Sequence, residues 1–392
     1  MACPRPRYSI YRTLSRAPTR YARGDGASIA DIVRLHRTAL EARQRLSRSQ
    51  KRVLTAICRC RTAALGGHLE VCADCGDVNP AYNSCRNRHC PKCQAWAQQK
   101  WIDARSAQIL AIRHFHQVFT LPSELRSLAM WHPVEIYTVL FRSVSELLME
   151  LGRTRLKATL GLTMVLHTWT RELHFHPHIH VLTTAGGLSL DGQRFVHVRK
   201  DYLFPVKVMG RLLRGKMLDA LRQLYRKGTF PELRQTAFDR LMASLAAHKS
   251  WVVYSKAPFN RSQHVLSYLG RYTHRVGIAN SRLVEVTADH VTFTTKHGKT
   301  VTLHPVEFLR RFIQHVLPDG FHKIRHAGLY ASARPGGQLE RAKALLPRPK
   351  ITKEPEPTPT DAIRRCTHCG GLILRLPLPA LARSPPLESL CV

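Results

Sequence analysis

Two histidines at alternating positions carry the strongest chemical signal in this sequence. They are His178 and His180, in the segment HFHPHIHVLTT at residues 174–184. Past Pro177 this segment predicts a β-strand, and side chains of a strand alternate between its two faces. His178 and His180 would therefore project together, while Ile179 points into a core. Two imidazoles on one face can bind one divalent cation, so we expect the chemistry on this strand.

The histidine strand needs a neighbouring strand to hold it in a sheet. Residues 161–169, GLTMVLHTW, also predict a strand and end shortly before the histidine segment. Strands that are close in sequence usually pair antiparallel. A further short strand is predicted at residues 116–122, and residues 283–303 alternate as a β-meander.

Cysteines fall in pairs separated by two residues. Cys72 with Cys75 and Cys90 with Cys93 form two such knuckles, 15 residues apart. Two knuckles can supply four thiolates to a tetrahedral zinc ion. We therefore assign these four cysteines to one structural zinc site.

Other cysteines and histidines leave alternatives open. Four of them either form a second metal site or merely surround the first: Cys60, His68, Cys85 and His89. Near the end of the sequence, Cys366 and Cys369 form half a knuckle, a weak signal for metal because no second pair is obvious.

The charge of the protein points to a polyanionic partner. The sequence has 61 Lys and Arg against 26 Asp and Glu, a formal charge of +35. Nucleic acid is the natural partner of such an excess, although a merely cationic protein has the same balance. On the second knuckle, Arg86, Arg88 and Lys92 would contact DNA phosphates or form a solvated basic face.

Membrane and secretory classes are disfavoured by the sequence. No stretch approaches the roughly 20 apolar residues of a membrane span. Residues 1–23 are rich in arginine but lack the apolar region of a signal peptide. We expect a cytoplasmic protein.

A pair of tyrosines adds a possible nucleophile. Tyr268 and Tyr272 are four residues apart, so their hydroxyls would share one face of a helix, with Arg271 and Arg275 in the same turn. Two aromatic residues of a core stripe would show the same spacing. Opposite a metal that withdraws charge from a phosphate, a tyrosine can attack phosphorus and form a phosphotyrosine.

Together these motifs resemble a known family. The His178-Ile-His180 element combined with YLGRYTHR at residues 268–275 is similar to the HUH endonucleases, in particular the two-tyrosine transposases of rolling-circle insertion sequences, the IS91 family. Residues 60–68 and 82–94 resemble that family's N-terminal zinc-binding domain. The match covers roughly residues 30–330, with the motifs in the same order.

The resemblance implies an α+β fold. An N-terminal helical and zinc-ribbon domain would precede an HUH-endonuclease-like palm, a central antiparallel sheet with flanking helices. We divide the chain into a basic arm (1–27), a zinc-binding DNA-binding domain (28–105), the two-tyrosine catalytic domain (106–334) and a Pro-rich basic tail (335–392).

The resemblance also implies the reaction. Single-stranded DNA at element ends and target would be cleaved to a 5′-phosphotyrosine, with Tyr268 and Tyr272 as nucleophiles. His178 and His180 would bind Mg²⁺ or Mn²⁺. Related relaxases place a further histidine on the neighbouring strand, so His167 is favoured as the third ligand over His264 and His274. The protein would act at the bacterial nucleoid.

Three other functions are compatible with part of this pattern. A plasmid replication initiator or conjugative relaxase would share the chemistry, but the cysteine domain joined to two tyrosines favours a transposase. A non-catalytic zinc-ribbon DNA-binding protein would leave the histidines and tyrosines unexplained. A histidine-ligated metallohydrolase or oxygenase would need a carboxylate near the histidines, and none follows the strand closely.

Overall fold

A computed structural model describes residues 20–21, 27–106, 108–258, 277–331, 337–347 and 365–378. The helices within them are α1 (Ile29–Arg43), α2 (Arg48–Arg59), α3 (Gln94–Ser106), α4 (Arg126–Trp131), α5 (Pro133–Leu151), α6 (Val206–Arg226), α7 (Gln235–Ala247), α8 (Pro305–Ile313) and α9 (Gln338–Ala344). The strands are β1 (Arg20–Tyr21), β2 (Gly67–Cys72), β3 (Val78–Tyr82), β4 (His114–Thr120), β5 (Ala158–Trp169), β6 (Phe175–Ser189), β7 (Phe195–His197), β8 (Val253–Ser255), β9 (Leu283–Thr287), β10 (Val291–Thr294), β11 (Thr300–Leu303), β12 (Ile324–Gly328) and β13 (Ile373–Leu378).

Helix α1 begins where the sequence signals a cap. Ser28 is the N-cap of α1, and its backbone N–H donates to Asp31 Oδ2 at 2.9 Å, one half of a capping box. Helices α1 and α2 then bury an apolar stripe against α8 and strands β9 and β10. Ile32, Leu54 and Phe312 are at most 1% exposed in this core.

A six-stranded antiparallel sheet, hereafter the central sheet, holds the histidine strand in its middle. Its strand order is β12-β5-β6-β4-β8, and β7 pairs with the outer part of β6. The predicted pairing of the two neighbouring strands is confirmed, since β5 and β6 are antiparallel with His167 opposite His178. One face of this sheet packs on helices α4 to α7 and forms the main hydrophobic core, to which Phe119, Leu166 and Ile179 belong.

Strand β6 begins at Phe175, three residues earlier than predicted, and contains Pro177. The β5–β6 register shifts there, from His167 opposite His178 to Trp169 opposite Phe175. A bulge at this point removes the need for the ladder hydrogen bond that proline cannot donate. From His178 to Thr183 the pairing with β5 is regular, and the alternation sends His178 and His180 to the face opposite Ile179.

Two smaller antiparallel sheets complete the described fold. Strands β1, β9, β10 and β11 form one of them, which confirms the predicted meander. The other, hereafter the cysteine sheet, has the order β13-β2-β3. Its edge strand β13 comes from the C-terminal tail and pairs with β2 from Ile373 opposite Cys72 to Leu378 opposite Gly67.

The α+β fold class and the antiparallel pairing are thus confirmed, and the specific likeness to an HUH palm stays a prediction. Among the helices that the structure describes, none combines the length and the apolar character that a membrane crossing requires.

Candidate metal centre and active site

Three histidines meet on the face of the central sheet that lies opposite its main core. His178 and His180 approach each other through their Nε2 atoms at 3.1 Å. A ring nitrogen of His167 lies within 4.8 Å of both. The structure therefore brings together the three histidines that the sequence and the resemblance selected.

Hydrogen bonds orient the two rings on β6. His178 Nδ1 donates to the backbone carbonyl of His176 at 2.6 Å, which leaves its Nε2 as the lone-pair nitrogen. His180 Nδ1 lies 2.8 Å from Nε2 of His116, so the other nitrogen of His180 also faces the cluster. Bonds of this kind to the second ring nitrogen are the usual means by which proteins orient metal-binding histidines.

His116 is a neighbour of the histidine cluster that the sequence analysis does not predict. It lies on β4, where it pairs with Leu182, and its ring stacks on His180 with centroids 5.1 Å apart. The predicted strand at 116–122 already contained it. However, only the β4–β6 register, which sequence patterns do not reveal, places it beside His180.

The third histidine is held by an aromatic neighbour. The ring of His167 stacks on Trp169 with centroids 4.6 Å apart and an interplanar angle of 19°. The two residues are two positions apart on β5 and share one face. This stacking fixes the plane of the His167 ring against the pair on β6, at 4.4 Å between the centroids of His167 and His180.

Burial keeps the rings of His178, His180 and His116 neutral at physiological pH. His178 and His180 are 9% and 8% exposed. Burial lowers the pKa of His178 to about 4 and the pKa of His180 well below its ordinary value. Burial also lowers the pKa of His116 to about 4. Neutral imidazoles are the form that binds metals.

The donor set fits a divalent cation. If Nδ1 is the donor nitrogen of both His178 and His180, two lone pairs face each other at 3.1 Å, and a cation between them relieves their repulsion. Three imidazole nitrogens suit transition ions better than Mg²⁺, which prefers oxygen ligands. Residues 167, 178 and 180 would hold such an ion, with Mn²⁺ favoured over Mg²⁺.

The predicted nucleophiles and their neighbours lie outside the described residues. This holds for Tyr268 and Tyr272, for the predicted DNA-binding residues Arg271 and Arg275, and for the alternative ligands His264 and His274.

The single four-cysteine site assigned from the sequence is corrected by the structure. Cys90 and Cys93 group with Cys60 and Cys85, not with the first knuckle. Cys93 Sγ lies 3.5 Å from Cys60 Sγ and 3.7 Å from Cys85 Sγ. The physical reason is that Cys60 at the end of α2 and Cys85 lie beside the second knuckle, within the core formed by α1, α2 and α8.

The first knuckle has a different partner. Cys72 and Cys75 group with Cys366 and Cys369 of the C-terminal tail. Neither histidine considered for a second site joins a cysteine group: His68 contacts Glu70, and His89 Nε2 accepts from the backbone N–H of Leu317.

The basic residues of the second knuckle divide into two kinds. Arg88 donates to the backbone carbonyls of Phe321 and Pro318 at 2.6 and 2.8 Å, so it ties the knuckle to the segment before β12. Its predicted contact with DNA stays a prediction. Arg86 is exposed and Lys92 is half-buried, and both remain candidates for phosphate contacts.

Comparison with known proteins identifies the family. The "Putative transposase" family model matches residues 161–336, and the "Transposase zinc-binding domain" model matches residues 32–121. The "Putative transposase y4qJ" of Sinorhizobium fredii is 40% identical over 371 residues, which cover 88% of this chain and 93% of that protein. The "Transposase for insertion sequence element IS801" of Pseudomonas savastanoi pv. phaseolicola is 28% identical over 339 residues, 81% of each chain.

No solved structure matches the chain. The residues matched by the zinc-binding model include the group of Cys60, Cys85, Cys90 and Cys93 and also the first knuckle, Cys72 and Cys75. This match supports structural zinc in the region. The transposase model spans all three clustered histidines. With both models in order along the sequence and a relative matched over nearly its whole length, this chain belongs to the IS91 family of transposases and carries that family's N-terminal zinc-binding domain.

Proposed function

We propose that this protein nicks and rejoins single-stranded DNA through 5′-phosphotyrosine intermediates during rolling-circle transposition. Tyr268 and Tyr272 are the nucleophiles, and residues 167, 178 and 180 hold Mn²⁺ or Mg²⁺. The observation that carries the proposal is the convergence of three buried imidazoles on one face of the central sheet in a member of a transposase family.

The reaction exchanges one phosphodiester for another. The phenolic oxygen of a tyrosine bonds to phosphorus while the bond from phosphorus to the 3′ oxygen breaks. The phenolic proton leaves, and the released 3′ oxygen takes up a proton. A phenol with a pKa of about 10 is a poor nucleophile at neutral pH. When bound, the cation makes phosphorus more electrophilic, and Arg271 and Arg275 stabilise the added negative charge.

Two tyrosines permit strand exchange without an external energy source. One tyrosine holds a cleaved 5′ end as a phosphodiester while the other attacks the next strand. A free 3′-hydroxyl then attacks the first phosphotyrosine, and each step conserves the number of phosphodiester bonds. The substrate is single-stranded DNA at element ends and target, and the protein acts in the bacterial cytoplasm at the nucleoid.

Binding of DNA is proposed to rest on charge spread over several segments. Residues 28–105 form the DNA-binding zinc domain, and residues 106–334 form the catalytic domain. With a formal charge of +35, many lysines and arginines contribute phosphate contacts. Loss of a single metal ligand should therefore affect cleavage far more than binding.

The test is formation of a covalent adduct on labelled single-stranded DNA that carries the end of the element. The protein is incubated with Mn²⁺ or Mg²⁺, and parallel reactions contain a chelator. We expect an adduct that resists denaturation, needs the cation and forms faster with Mn²⁺. Tyr268→Phe and Tyr272→Phe should each block part of the strand-transfer cycle, and the double variant should form no adduct.

The histidine variants separate catalysis from binding. His178→Ala should abolish the adduct and leave DNA affinity within about threefold, because binding depends on distributed phosphate contacts. His174→Ala is the matched control, since His174 is exposed four residues away on the same segment and lies outside the cluster. Equal loss of binding and cleavage in His178→Ala, or an adduct in the double tyrosine variant, would contradict the proposal.

A further inference from the structure

The C-terminal tail brings a second cysteine knuckle to the first. Cys72 Sγ lies 3.4 Å from Cys369 Sγ, and Cys75 Sγ lies 3.8 Å from Cys366 Sγ. A disulfide would require about 2.05 Å between sulfurs. A tetrahedral zinc ion with bonds of about 2.3 Å separates its sulfur ligands by about 3.8 Å. The observed spacing is that of four thiolates around one metal ion.

The two knuckles have the same backbone geometry. Each is a CxxCG sequence whose glycine N–H donates to the first cysteine's carbonyl, from Gly76 to Cys72 at 3.0 Å and from Gly370 to Cys366 at 2.9 Å. Both glycines need positive φ, 72° and 78°, which only glycine adopts at little cost. The knuckles are thus two copies of one ligand-presenting turn.

Backbone amides are aimed at the sulfurs of the tail knuckle. The N–H groups of His368 and Gly371 donate to Cys366 Sγ and Cys369 Sγ, each at 3.4 Å. Such bonds favour the charged thiolate over the thiol, and the thiolate is the form that binds metal. The donor set is therefore prepared for a soft divalent ion.

The sheet that carries these knuckles has little core of its own. In β13, Leu374 and Leu376 are 47% and 52% exposed, and in β3 Val78 is 50% exposed. Apart from Cys72, no side chain of β2, β3 or β13 is buried. A sheet of this size without a core needs another source of stability, and a structural metal is a common one.

The tail knuckle lies outside the residues that the two family models match. The zinc-binding model ends at residue 121 and the transposase model at residue 336, so Cys366 and Cys369 lie beyond both. Within residues 32–121 the first knuckle has no second pair left, because Cys90 and Cys93 are already grouped with Cys60 and Cys85.

We propose that Cys72, Cys75, Cys366 and Cys369 bind a second structural Zn²⁺, which fastens the C-terminal tail to the N-terminal zinc-binding domain. Four thiolates select zinc over Mg²⁺ or Mn²⁺, so this ion differs from the one at the histidine site. The ligand pairs are 291 and 297 residues apart in sequence. The second zinc site therefore has all four ligands only when the tail is present. The metal would link two segments that lie on either side of the catalytic domain in the sequence.

The first test counts metal in the full-length protein, purified without a histidine tag. Elemental analysis should find two zinc ions per chain. The Cys366→Ser/Cys369→Ser variant should contain one, and Cys58→Ala should keep two, because Cys58 is a buried cysteine outside both groups. One zinc in the wild type, or an unchanged count in the double serine variant, would overturn the proposal.

A second measurement tests whether the metal attaches the tail to the zinc-binding domain. It uses a protein in which all cysteines are kept. A specific protease site is inserted between Lys353 and Glu354, the full chain is cut, and the products are separated by gel filtration without denaturant. The C-terminal fragment should stay with the rest of the protein in zinc buffer and separate after treatment with a strong zinc chelator. Release before chelation, or retention after it, would refute a zinc-dependent attachment. Neither measurement involves DNA cleavage, so each is independent of the transposase proposal.

Discussion

The central sheet and the cysteine sheet relate to their candidate metals in opposite ways. In the central sheet the ligands sit on strands whose other face is packed against four helices, and Leu166 and Ile179 beneath them are at most 1% exposed. In the cysteine sheet the strands are largely exposed, and the knuckles at their ends supply the ligands. The first fold positions its ligands before any ion binds, whereas the second depends on its ion for stability.

This difference matches the work each metal would do. A catalytic ion must leave coordination positions open for substrate, so its three ligands need support from the surrounding protein. A structural zinc is closed by four thiolates and can contribute free energy of folding directly. Removing metal should therefore change activity at the central sheet and structure at the cysteine sheet.

Matched leucine truncations give the largest expected difference between the two sheets. Leu166 is 1% exposed beneath the histidine face, and Leu374 is 47% exposed on β13. Leu166→Ala leaves a cavity in a packed core and should lower the free energy of unfolding by about 2–5 kcal/mol. Leu374→Ala removes the same atoms from the surface and should change it by less than about 0.5 kcal/mol. Urea titrations of the zinc-loaded protein, followed by tryptophan fluorescence, measure both.

The two variants control each other, because the chemical change is identical. Similar losses of stability in both would mean that the cysteine sheet has an apolar partner, and the contrast between the sheets would be wrong.

Local patterns in the sequence predict the histidine pair and the start of α1 well. The alternation in a strand is fixed by backbone geometry, so His178 and His180 had to share a face once β6 formed. Likewise the capping box of Ser28 and Asp31 depends only on residues three apart. Features of this kind require no knowledge of the tertiary fold.

Long-range pairings could not be predicted in the same way. Cys72 and Cys75 were assigned to the nearest knuckle in sequence, yet their partners follow from the pairing of β13 with β2. His116 was missed because its contact with His180 depends on the β4–β6 register. Strand pairing between distant segments is set by the whole fold, and one sequence contains no direct signal for it.

Removal of the His116 ring should weaken metal binding without unfolding the central sheet. His116 Nε2 lies 2.8 Å from His180 Nδ1, and loss of such a partner typically lowers metal affinity 10–100-fold, about 1.4–2.7 kcal/mol. Titration of His116→Ala with Mn²⁺, followed by electron paramagnetic resonance, should show this loss. His116→Gln, which retains an acceptor, should recover part of the affinity.

The glutamine variant shows whether His116 acts by orienting His180 or whether its loss damages the fold in general. If His116→Gln binds Mn²⁺ as weakly as His116→Ala while both remain folded, the hydrogen bond to His180 has no role in orienting the ligand.

Acid should act on the central sheet through its buried histidines. His114 is fully buried on β4, donates from Nδ1 to the carbonyl of Ile112 at 2.9 Å and contacts the Tyr330 hydroxyl at 2.8 Å. Burial lowers its pKa from 6.5 to about 4. Between these pH values the unfolded chain binds the proton and the folded chain does not, so the free energy of unfolding falls as pH drops from about 6.5 to about 4.

Replacement of His114 should reduce the slope of the free energy of unfolding against pH. The reduction is at most that of one proton, about 1.4 kcal/mol per pH unit. Urea titrations of His114→Gln and of the wild type, from pH 7 to pH 4, give the two slopes. His197→Gln is the control, because it makes the same substitution at a histidine that is exposed on β7 of the same sheet. A slope equally steep in His114→Gln would show that this buried ring takes up its proton without cost to the fold, so burial would not be what keeps the histidines of the central sheet neutral.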